Sequence, residues 1–273
     1  LYLDNQGQSG GSVDVDIDAP EAWDLTIGNP SVVVGVIDSG IDSTHEDLYM
    51  NVWINQGEIP VDLKSAMTDV DLDGIITFYD LNNTQNADYV TDRLDDGNNY
   101  IDAQDLLVDT DWADDEDTDG NGFIDDLFGW DFVNGDNNPT DDHSHGTHVA
   151  GTIGATGNNA KGVVGVNGET SLMAIKFLDE TRSGSICNAI QSINYATMMN
   201  EKFDVNVLAT NNSWGYYGSL NVLCDETPDV LRAAINANEI AGMLFIAAAG
   251  NGDALGRGIN NEEDPRYAFY PAS

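Results

Sequence analysis

Apolar residues gather in four short runs along the chain, and these runs predict buried β-strands. The first, residues 32–38, is uninterrupted and ends in an acid, as expected of a parallel strand covered on both faces. The others span residues 172–178, 205–209 and 243–249. None approaches the length that a membrane helix needs, so the pattern predicts a globular domain with no membrane partner.

Helical patterns alternate with these runs. Residues 148–155 are rich in small and apolar side chains, and in residues 185–199 apolar side chains recur mostly three and four positions apart. Pro228 suits the start of a further helix over residues 229–241. Strand alternating with helix predicts an α/β fold with a doubly wound parallel sheet. In such sheets functional side chains gather beyond the carboxyl ends of the strands.

Residues 55–142 break this alternation and are interpreted as an insertion within one domain over residues 1–273. The chain has 48 acidic and 9 basic residues, for a net charge of −39, which disfavours nucleic acid as a partner. From Asp69 to Asp142 there are 23 acidic residues and a single basic one, Arg93. Such a segment repels itself unless cations neutralise it. It is either a solvated acidic surface, as in a salt-adapted protein, or a metal-binding region.

The spacing of the acids favours metal. In residues 69–80 carboxylates occupy positions 1, 3, 5 and 12 and glycine occupies position 6, the spacing of a calcium loop that also uses the carbonyl of position 7. Its aspartate at position 12 resembles dockerin-type EF-hand loops. Two later segments repeat parts of the pattern. One starts at Leu94 and departs from it at Leu94 and Asn99, and the other has Phe128 at position 12.

Several structural Ca²⁺ ions are therefore predicted. The predicted ligands are Asp69, Asp71, Asp73, Ile75 through its carbonyl and Asp80 in the first loop, Asp96, Asn98, Asp102 and Asp105 in the second, and Asp117, Asp119, Asn121, Asp125 and Asp126 in the third.

An acid and a histidine stand where catalytic groups are expected. Asp38 ends the first strand, and His145 opens a helix with Gly146 beside it, which leaves one imidazole face open. An acid at a strand end can accept the ring N–H of such a histidine and stabilise the imidazolium during general-base catalysis. From the residues alone, an unrelated Asp and His remain the alternative.

Two segments closely resemble the Asp and His signatures of the subtilisin-like serine protease family. They are residues 36–42 and 145–151, and they occur in that family's order. The resemblance extends over residues 18–273 apart from the insertion, and it implies a three-layer α/β/α fold. It also implies that Asp38 orients the general base His145. The other histidines of this region are then bystanders, with His148 packed under the helix and His143 beside the mouth of the site.

Further residues take their roles from the same resemblance. Asn251, after an alanine-rich strand, becomes the side-chain donor to the oxyanion, with Ala248 and Gly250 beside it. A peptide would bind as an added strand between two edges, with Trp214 as a pocket wall rather than ordinary core. The edges are Ser213, Trp214 and Gly215, and Ser183, Gly184 and Ser185. Asp47 and Asn159, with the carbonyls of Lys161 and Val163, fall where the family binds a tight structural calcium ion.

The nucleophile is missing from the sequence. The family's third signature, a Gly-Thr-Ser run, occurs nowhere, and Ser273 resembles a position well before it. The chain is a nicked protease whose C-terminal remainder is a separate chain, an expressed fragment, or a pseudoenzyme; the first two are favoured. On its own this chain is predicted to be inactive.

The resulting expectation is a secreted, calcium-dependent serine endopeptidase that acts on protein or peptide substrates, with a propeptide inhibitor as a further partner. The N-terminus at Leu1 looks like a mature start, since no signal-like segment opens the chain. Cys187 and Cys224 either form a disulfide or remain free thiols. The alternative function is a noncatalytic calcium-binding or adhesion scaffold on a degenerate protease fold. Nucleotide binding is disfavoured, because no glycine-rich phosphate loop follows the first strand.

Overall fold

A computed structural model describes residues 3–8, 10–92, 97–217, 228–252 and 269–271. Its centre is a parallel sheet of five strands. These are β1 (Gly28–Asp38), β2 (Gly129–Asp131), β3 (Glu169–Lys176), β4 (Val207–Asn212) and β6 (Leu244–Ala247). They lie in the order β2-β3-β1-β4-β6. Two further strands, β5 (Tyr216–Tyr217) and β7 (Phe269–Tyr270), form a separate antiparallel pair.

Helices cover both faces of the sheet. The long ones are α5 (His145–Gly154), α6 (Ile186–Lys202) and α7 (Pro228–Ile240). Short helices precede them: α1 (Ala19–Trp23), a 3-10 turn (Tyr49–Asn51), α2 (Val61–Ala66), α3 (Phe78–Leu81) and α4 (Ala103–Val108). In the described part of the chain, no helix combines the length and the apolar character needed to cross a membrane.

Adjacent residues of the central strands enter two different cores. On β1, Val36 packs with Ala150 of α5, whereas its neighbour Ile37 packs with Ile193 of α6. Strand β3 alternates in the same way. Strands buried on both faces need apolar residues at nearly every position, which is why they appear as unbroken runs in the sequence. The predicted doubly wound fold with three layers is confirmed.

The four predicted strands correspond to β1, β3, β4 and β6, with ends shifted by a few residues. Strand β2 was not foreseen, because three residues are too few to give a hydrophobic pattern. It pairs with β3 through Trp130 and Ile175, so one strand of the central sheet lies inside the range 55–142.

Much of that range packs on the α5 face of the sheet. Phe78, Leu81, Leu106 and Trp112 are fully buried there, in the same core as Val36. The acidic residues of the region therefore surround a hydrophobic centre that is continuous with the core of the sheet.

Candidate active site

Asp38 and His145 meet at the carboxyl end of the sheet. Asp38 is the last residue of β1 and His145 the first of α5, and Nδ1 of His145 lies 2.6 Å from Oδ1 of Asp38. The Asp38 side chain is fully buried, whereas the His145 side chain is 33% exposed. If Asp38 accepts a hydrogen bond from Nδ1–H, Nε2 is free to take a proton from another group. The arrangement suits a general base that an acid orients.

Glycines allow α5 to approach the end of β1 this closely. A Cβ on Gly146 would lie 2.1 Å from the carbonyl oxygen of Gly40 and 3.2 Å from Cβ of Asp38. Gly40 itself has φ +105°, in the region that favours glycine. The glycines of both signatures are therefore required by the contact between the two segments.

Burial raises the pKa of Asp38, and the hydrogen bonds from His145 and Ser39 oppose this effect. Oδ1 accepts from the backbone N–H of Ser39 at 2.8 Å, while the buried Oδ2 has no hydrogen-bond partner among the described residues. A desolvated carboxylate interacts more strongly with a neighbouring cation than an exposed one does. The buried Asp38 carboxylate can therefore stabilise the positive charge that the imidazole of a general base carries after it accepts a proton.

Two charged residues at this edge were not foreseen by sequence reasoning. Lys176, at the end of β3, is 1% exposed, and its Nζ donates to the carbonyl of Ser39 at 2.9 Å and pairs with Asp142 at 2.8 Å. Asp141, just before α5, accepts hydrogen bonds from both the Ser39 hydroxyl and the turn that leads into the helix. A signal was present in the sequence, since Lys176 interrupts an otherwise apolar run at 172–178.

The other two histidines of the helix entrance differ in environment. The prediction that His148 packs under α5 is wrong, because its side chain is exposed. The buried face of α5 is formed by Gly146, Ala150 and Gly154, and His148 projects from the opposite side. His143 is half-buried in the turn before the helix.

The two predicted substrate edges lie next to each other at the same end of the sheet. Trp214 is buried, and its ring centroid is 5.0 Å from that of Phe177 in an edge-to-face contact. Phe177 in turn approaches the other edge, where a Cβ on Gly184 would lie 2.4 Å from its carbonyl oxygen. Phe177 thus contacts both edges, and the role of Trp214 as a pocket wall stays a prediction. Ser183 and Ser185 are exposed, as is Gly215, whereas Ser213 is half-buried.

The predicted oxyanion residue follows β6. The backbone N–H of Ala248 donates to the carbonyl of Asn212 at 3.0 Å. This hydrogen bond extends the pairing of β4 with β6 one residue beyond the end of β6. Beyond this point Gly250 is half-buried and Asn251 is exposed. Because β1 and β6 are parallel, Asn251 and Asp38 leave the sheet at the same end.

A buried acidic centre lies between the third predicted calcium loop and residues before it. Carboxylate oxygens of Glu58, Asp119 and Asp126 lie within 4.8 Å of one another. Burial raises the pKa of Glu58 to about 7 and that of Asp126 well above its usual value. The amides of Asn55 and Asn121 each donate to both Asp119 and Asp126.

Sequence spacing did not indicate Glu58, which is 59 residues before the loop at Asp117. The available signal was an isolated acid in the otherwise apolar and amide-bearing stretch 52–60. Asp117 instead accepts the backbone N–H groups of Asn121 and Gly122, and Asp125 accepts those of Asp114 and Asp115. Their roles as metal ligands remain predictions.

The first predicted loop also gathers its acids. Oxygens of Asp69, Asp71 and Asp73 lie within 4.8 Å of one another. Asp80 caps α3, with Oδ2 accepting from the N–H of Thr77 at 2.8 Å and Oδ1 from that of Val70 at 2.7 Å. The N–H of Ile75 donates to Asp73 at 3.0 Å.

The second predicted loop is described from Gly97 onward, and Asp96 lies outside the described residues. The Asn98 amide donates to Asp102 at 3.0 Å, and Asp102 and Asp105 together form a capping box at α4. Burial raises the pKa of Asp102 to about 6.

The calcium position implied by resemblance brings its two predicted ligands together. The Asn159 amide donates to Oδ1 of Asp47 at 2.9 Å, and the N–H of Val163 donates to Oδ2 at 2.8 Å. Lys161 forms an exposed ion pair with Glu46.

Known proteins resemble this chain. The subtilase family matches residues 29–272. Subtilisin-like protease 1 of Plasmodium berghei is 36% identical over 216 residues, which cover 79% of this chain and 25% of that protein. Thermophilic serine proteinase of a Bacillus species is 36% identical over 123 residues, 45% of this chain and 27% of that protein. Thermitase of Thermoactinomyces vulgaris is 33% identical over 123 residues, 45% of this chain and 39% of that protein.

The chain therefore spans between 25% and 39% of the length of these relatives. Its family match covers the sheet, both signature segments and the acidic region. The resemblance inferred from residues 36–42 and 145–151 is thereby confirmed, and the chain belongs to the subtilase family.

Proposed function

We propose that this chain is part of a serine endopeptidase in which it supplies the acid, the base and an oxyanion donor. The observation that carries the proposal is the 2.6 Å contact between His145 and the buried Asp38 in a subtilase sequence. A serine in a C-terminal remainder attacks the peptide carbonyl and gives its proton to Nε2 of His145. Asp38 holds the ring, and Asn251 with a backbone N–H stabilises the oxyanion. His145 then donates the proton to the leaving amine.

Exposed apolar side chains on β6, at one edge of the sheet, are consistent with a further protein segment that packs there. Leu244 and Ile246 alternate along the strand and are 64% and 50% exposed. A sheet of a doubly wound fold is normally covered on both faces. The proposed remainder would cover these side chains while bringing its serine to His145.

The first test asks whether the chain needs that remainder. The 273-residue chain alone is expected not to hydrolyse peptide substrates, since no Gly-Thr-Ser segment is present, and addition or fusion of the downstream segment is expected to restore hydrolysis. Release of a chromogenic peptide product measures both. A downstream segment without a serine in a Gly-Thr-Ser context would favour the noncatalytic scaffold. Turnover by the chain alone, in a preparation free of other proteases, would contradict the proposed location of the nucleophile.

The second test concerns Asn251. In the assembled protease, Asn251→Ala is expected to lower kcat by about 100- to 1,000-fold with little change in KM, because the lost hydrogen bond forms only as the oxyanion develops. Asn206→Ala is a matched control, since this exposed asparagine near the other end of β4 donates to the carbonyl of Ser31. Equal kcat values for Asn251→Ala and the unaltered protease would remove Asn251 from the mechanism.

Calcium is proposed as a structural cofactor. Two buried carboxylates, at Glu58 and Asp126, and the half-buried carboxylate of Asp119 lie within 4.8 Å of one another and support one ion. The cluster of Asp69, Asp71 and Asp73 supports a second, in the spacing of an EF-hand loop. Like charges this close repel one another unless they are protonated or a cation lies among them. The ions would tie residues 55–142, proposed as an insertion, to the sheet.

Secretion is also proposed. Cys187, at the start of α6, is disulfide-bonded, and Cys224 lies outside the described residues. Disulfides persist in oxidising compartments, which supports an extracellular location. A protein or peptide is the proposed substrate, and a propeptide is a proposed inhibitor.

A further inference from the structure

The carboxylate of Asp141 connects the two segments that carry Asp38 and His145. It accepts five hydrogen bonds from three parts of the chain. Oδ1 accepts from the Ser39 hydroxyl at 2.8 Å and from the N–H groups of His143 and Ser144, both at 2.9 Å. Oδ2 accepts from the N–H of Thr147 at 2.9 Å and from its hydroxyl at 2.6 Å.

On one side, Asp141 fixes the first turn of α5. The N-cap residue, Ser144, has φ 81° and its side chain makes no capping hydrogen bond. A serine in this left-handed conformation is strained by about 1–2 kcal/mol relative to the usual helical region. Asp141 caps the helix in its place, and a negative charge is favourable at a helix N-terminus. The first residue of this helix is His145.

On the other side, Asp141 fixes the residue after the catalytic acid. The hydroxyl of Ser39 donates to Asp141 and accepts from the N–H of Gly146 at 3.0 Å. The backbone N–H of Ser39 donates to Oδ1 of Asp38, the same oxygen that contacts His145. A single carboxylate thus restrains both partners of the pair.

Burial raises the pKa of Asp141, but the hydrogen bonds from Thr147, His143 and Ser39 outweigh this effect and lower it. All five groups around the carboxylate are used as donors to it. An asparagine would turn its NH₂ group towards donors on one side or the other, so it cannot reproduce the arrangement.

We propose that Asp141 is a positioning residue that sets the distance and orientation between Asp38 and His145. The role rests on the proposed proteolytic function, although the geometry that Asp141 controls exists in this chain alone. Asp141 acts through Ser39 and the start of α5 and does not touch the substrate.

The kinetic test compares Asp141→Asn with Asp136→Asn in the protease assembled with its downstream segment. Asp136 is an exposed acid of the same region that lies outside the turn. Asp141→Asn is expected to lower kcat by about 10- to 100-fold, because a misplaced catalytic group has effects of this size. KM is expected to stay within about two-fold, since no ground-state contact is lost. Asp136→Asn is expected to leave both constants unchanged. An unchanged kcat in a folded Asp141→Asn protease would overturn the proposal.

A second readout does not depend on proteolysis. In the ¹⁵N-histidine-labelled 273-residue chain, the proton shared by His145 and Asp38 is expected to give a downfield NMR resonance. Asp141→Asn is expected to shift or broaden it, and Asp136→Asn to leave it in place. The same resonance in Asp141→Asn and in the unaltered chain would overturn the proposal. Absence of proteolysis in every assembly would instead count against the proposed function.

A milder variant keeps the test decisive if Asp141→Asn does not fold. Ser39→Ala removes one of the five hydrogen bonds and is expected to shift the same resonance to a smaller extent. Where both variants fold, their effects on kcat are expected to be less than additive in the double variant, because they interrupt one network. Full additivity, or no shift in Ser39→Ala, would contradict the proposed connection.

Discussion

His145→Ala is expected to lower kcat of the assembled protease by about 10⁴- to 10⁶-fold. The loss is large because serine is a poor nucleophile without a base to take its proton. Asp38 cannot replace His145, since it is fully buried behind the imidazole and contacts it through Nδ1. The measurement is kcat on a peptide substrate at a known concentration of each folded protein.

His148→Ala is the matched control for this variant. His148 lies one turn later on the same helix, and its side chain is exposed on the face opposite the sheet. The control is expected to retain its activity, and both variants are expected to keep the far-ultraviolet circular dichroism of the parent. Substantial turnover by His145→Ala, or an equal loss in His148→Ala, would contradict the assignment of His145 as the base.

The fold was predictable from sequence because the strands are buried on both faces. Positions 32–37 must be apolar whichever core they enter, and Val36 and Ile37 enter different ones. Strand β2 escaped prediction because its three residues, at 129–131, are placed by pairing with β3 and not by any local pattern. Tertiary pairing of this kind leaves no periodic signal.

The Asp38–His145 pair was predictable because residues 36–42 and 145–151 resemble the two signatures of the subtilase family, and each signature includes a glycine. The close approach of β1 and α5 requires glycine at positions 40 and 146, so both segments carry a local sequence sign of the contact.

No comparable local sign in the sequence indicates Asp141. Its five partners are backbone and hydroxyl groups that almost any sequence supplies, and one acid among 23 in the region is not conspicuous.

The acidic centre was also only partly predictable from the sequence. Spacing within residues 117–126 indicated several ligands, yet the acid that completes the cluster is Glu58. A site formed by folding two distant segments together cannot be read from the spacing of one of them. The buried amides of Asn55 and Asn121 around it are likewise a product of the tertiary fold.

Removal of calcium is expected to loosen residues 69–142, which include the edge strand β2, before the other four strands of the central sheet separate. Ions that bind only the folded loops shift the folding equilibrium by mass action, by about 4 kcal/mol at 1,000 times the dissociation constant. The region depends on this term because it contains 23 acidic residues and a single basic one, Arg93. Its apolar core, which includes Phe78 and Leu106, is continuous with the sheet and resists only part of that repulsion.

Hydrogen exchange with calcium and with a chelator, at equal ionic strength, measures this effect. Constant ionic strength is needed because salt alone screens the repulsion between exposed acids. Protection is expected to fall in residues 69–142 under chelation, while the amides of β1 and β3 stay protected. Identical exchange maps in this region would mean that the acids form a solvated surface and that the metal interpretation is wrong.

A single substitution separates the buried centre from general charge effects. Asp119→Asn removes one of the three clustered carboxylates and is expected to weaken calcium binding by about tenfold or more, since ligand charge sets the affinity of such sites. Asp136→Asn makes the same change in charge at an exposed position outside the cluster and is expected to leave the affinity unchanged. Isothermal titration calorimetry of both variants gives the affinities directly. Equal weakening in the two variants would show that calcium responds to the overall field of the acidic region, whereas a loss confined to Asp119→Asn assigns the ion to the centre formed with Glu58 and Asp126.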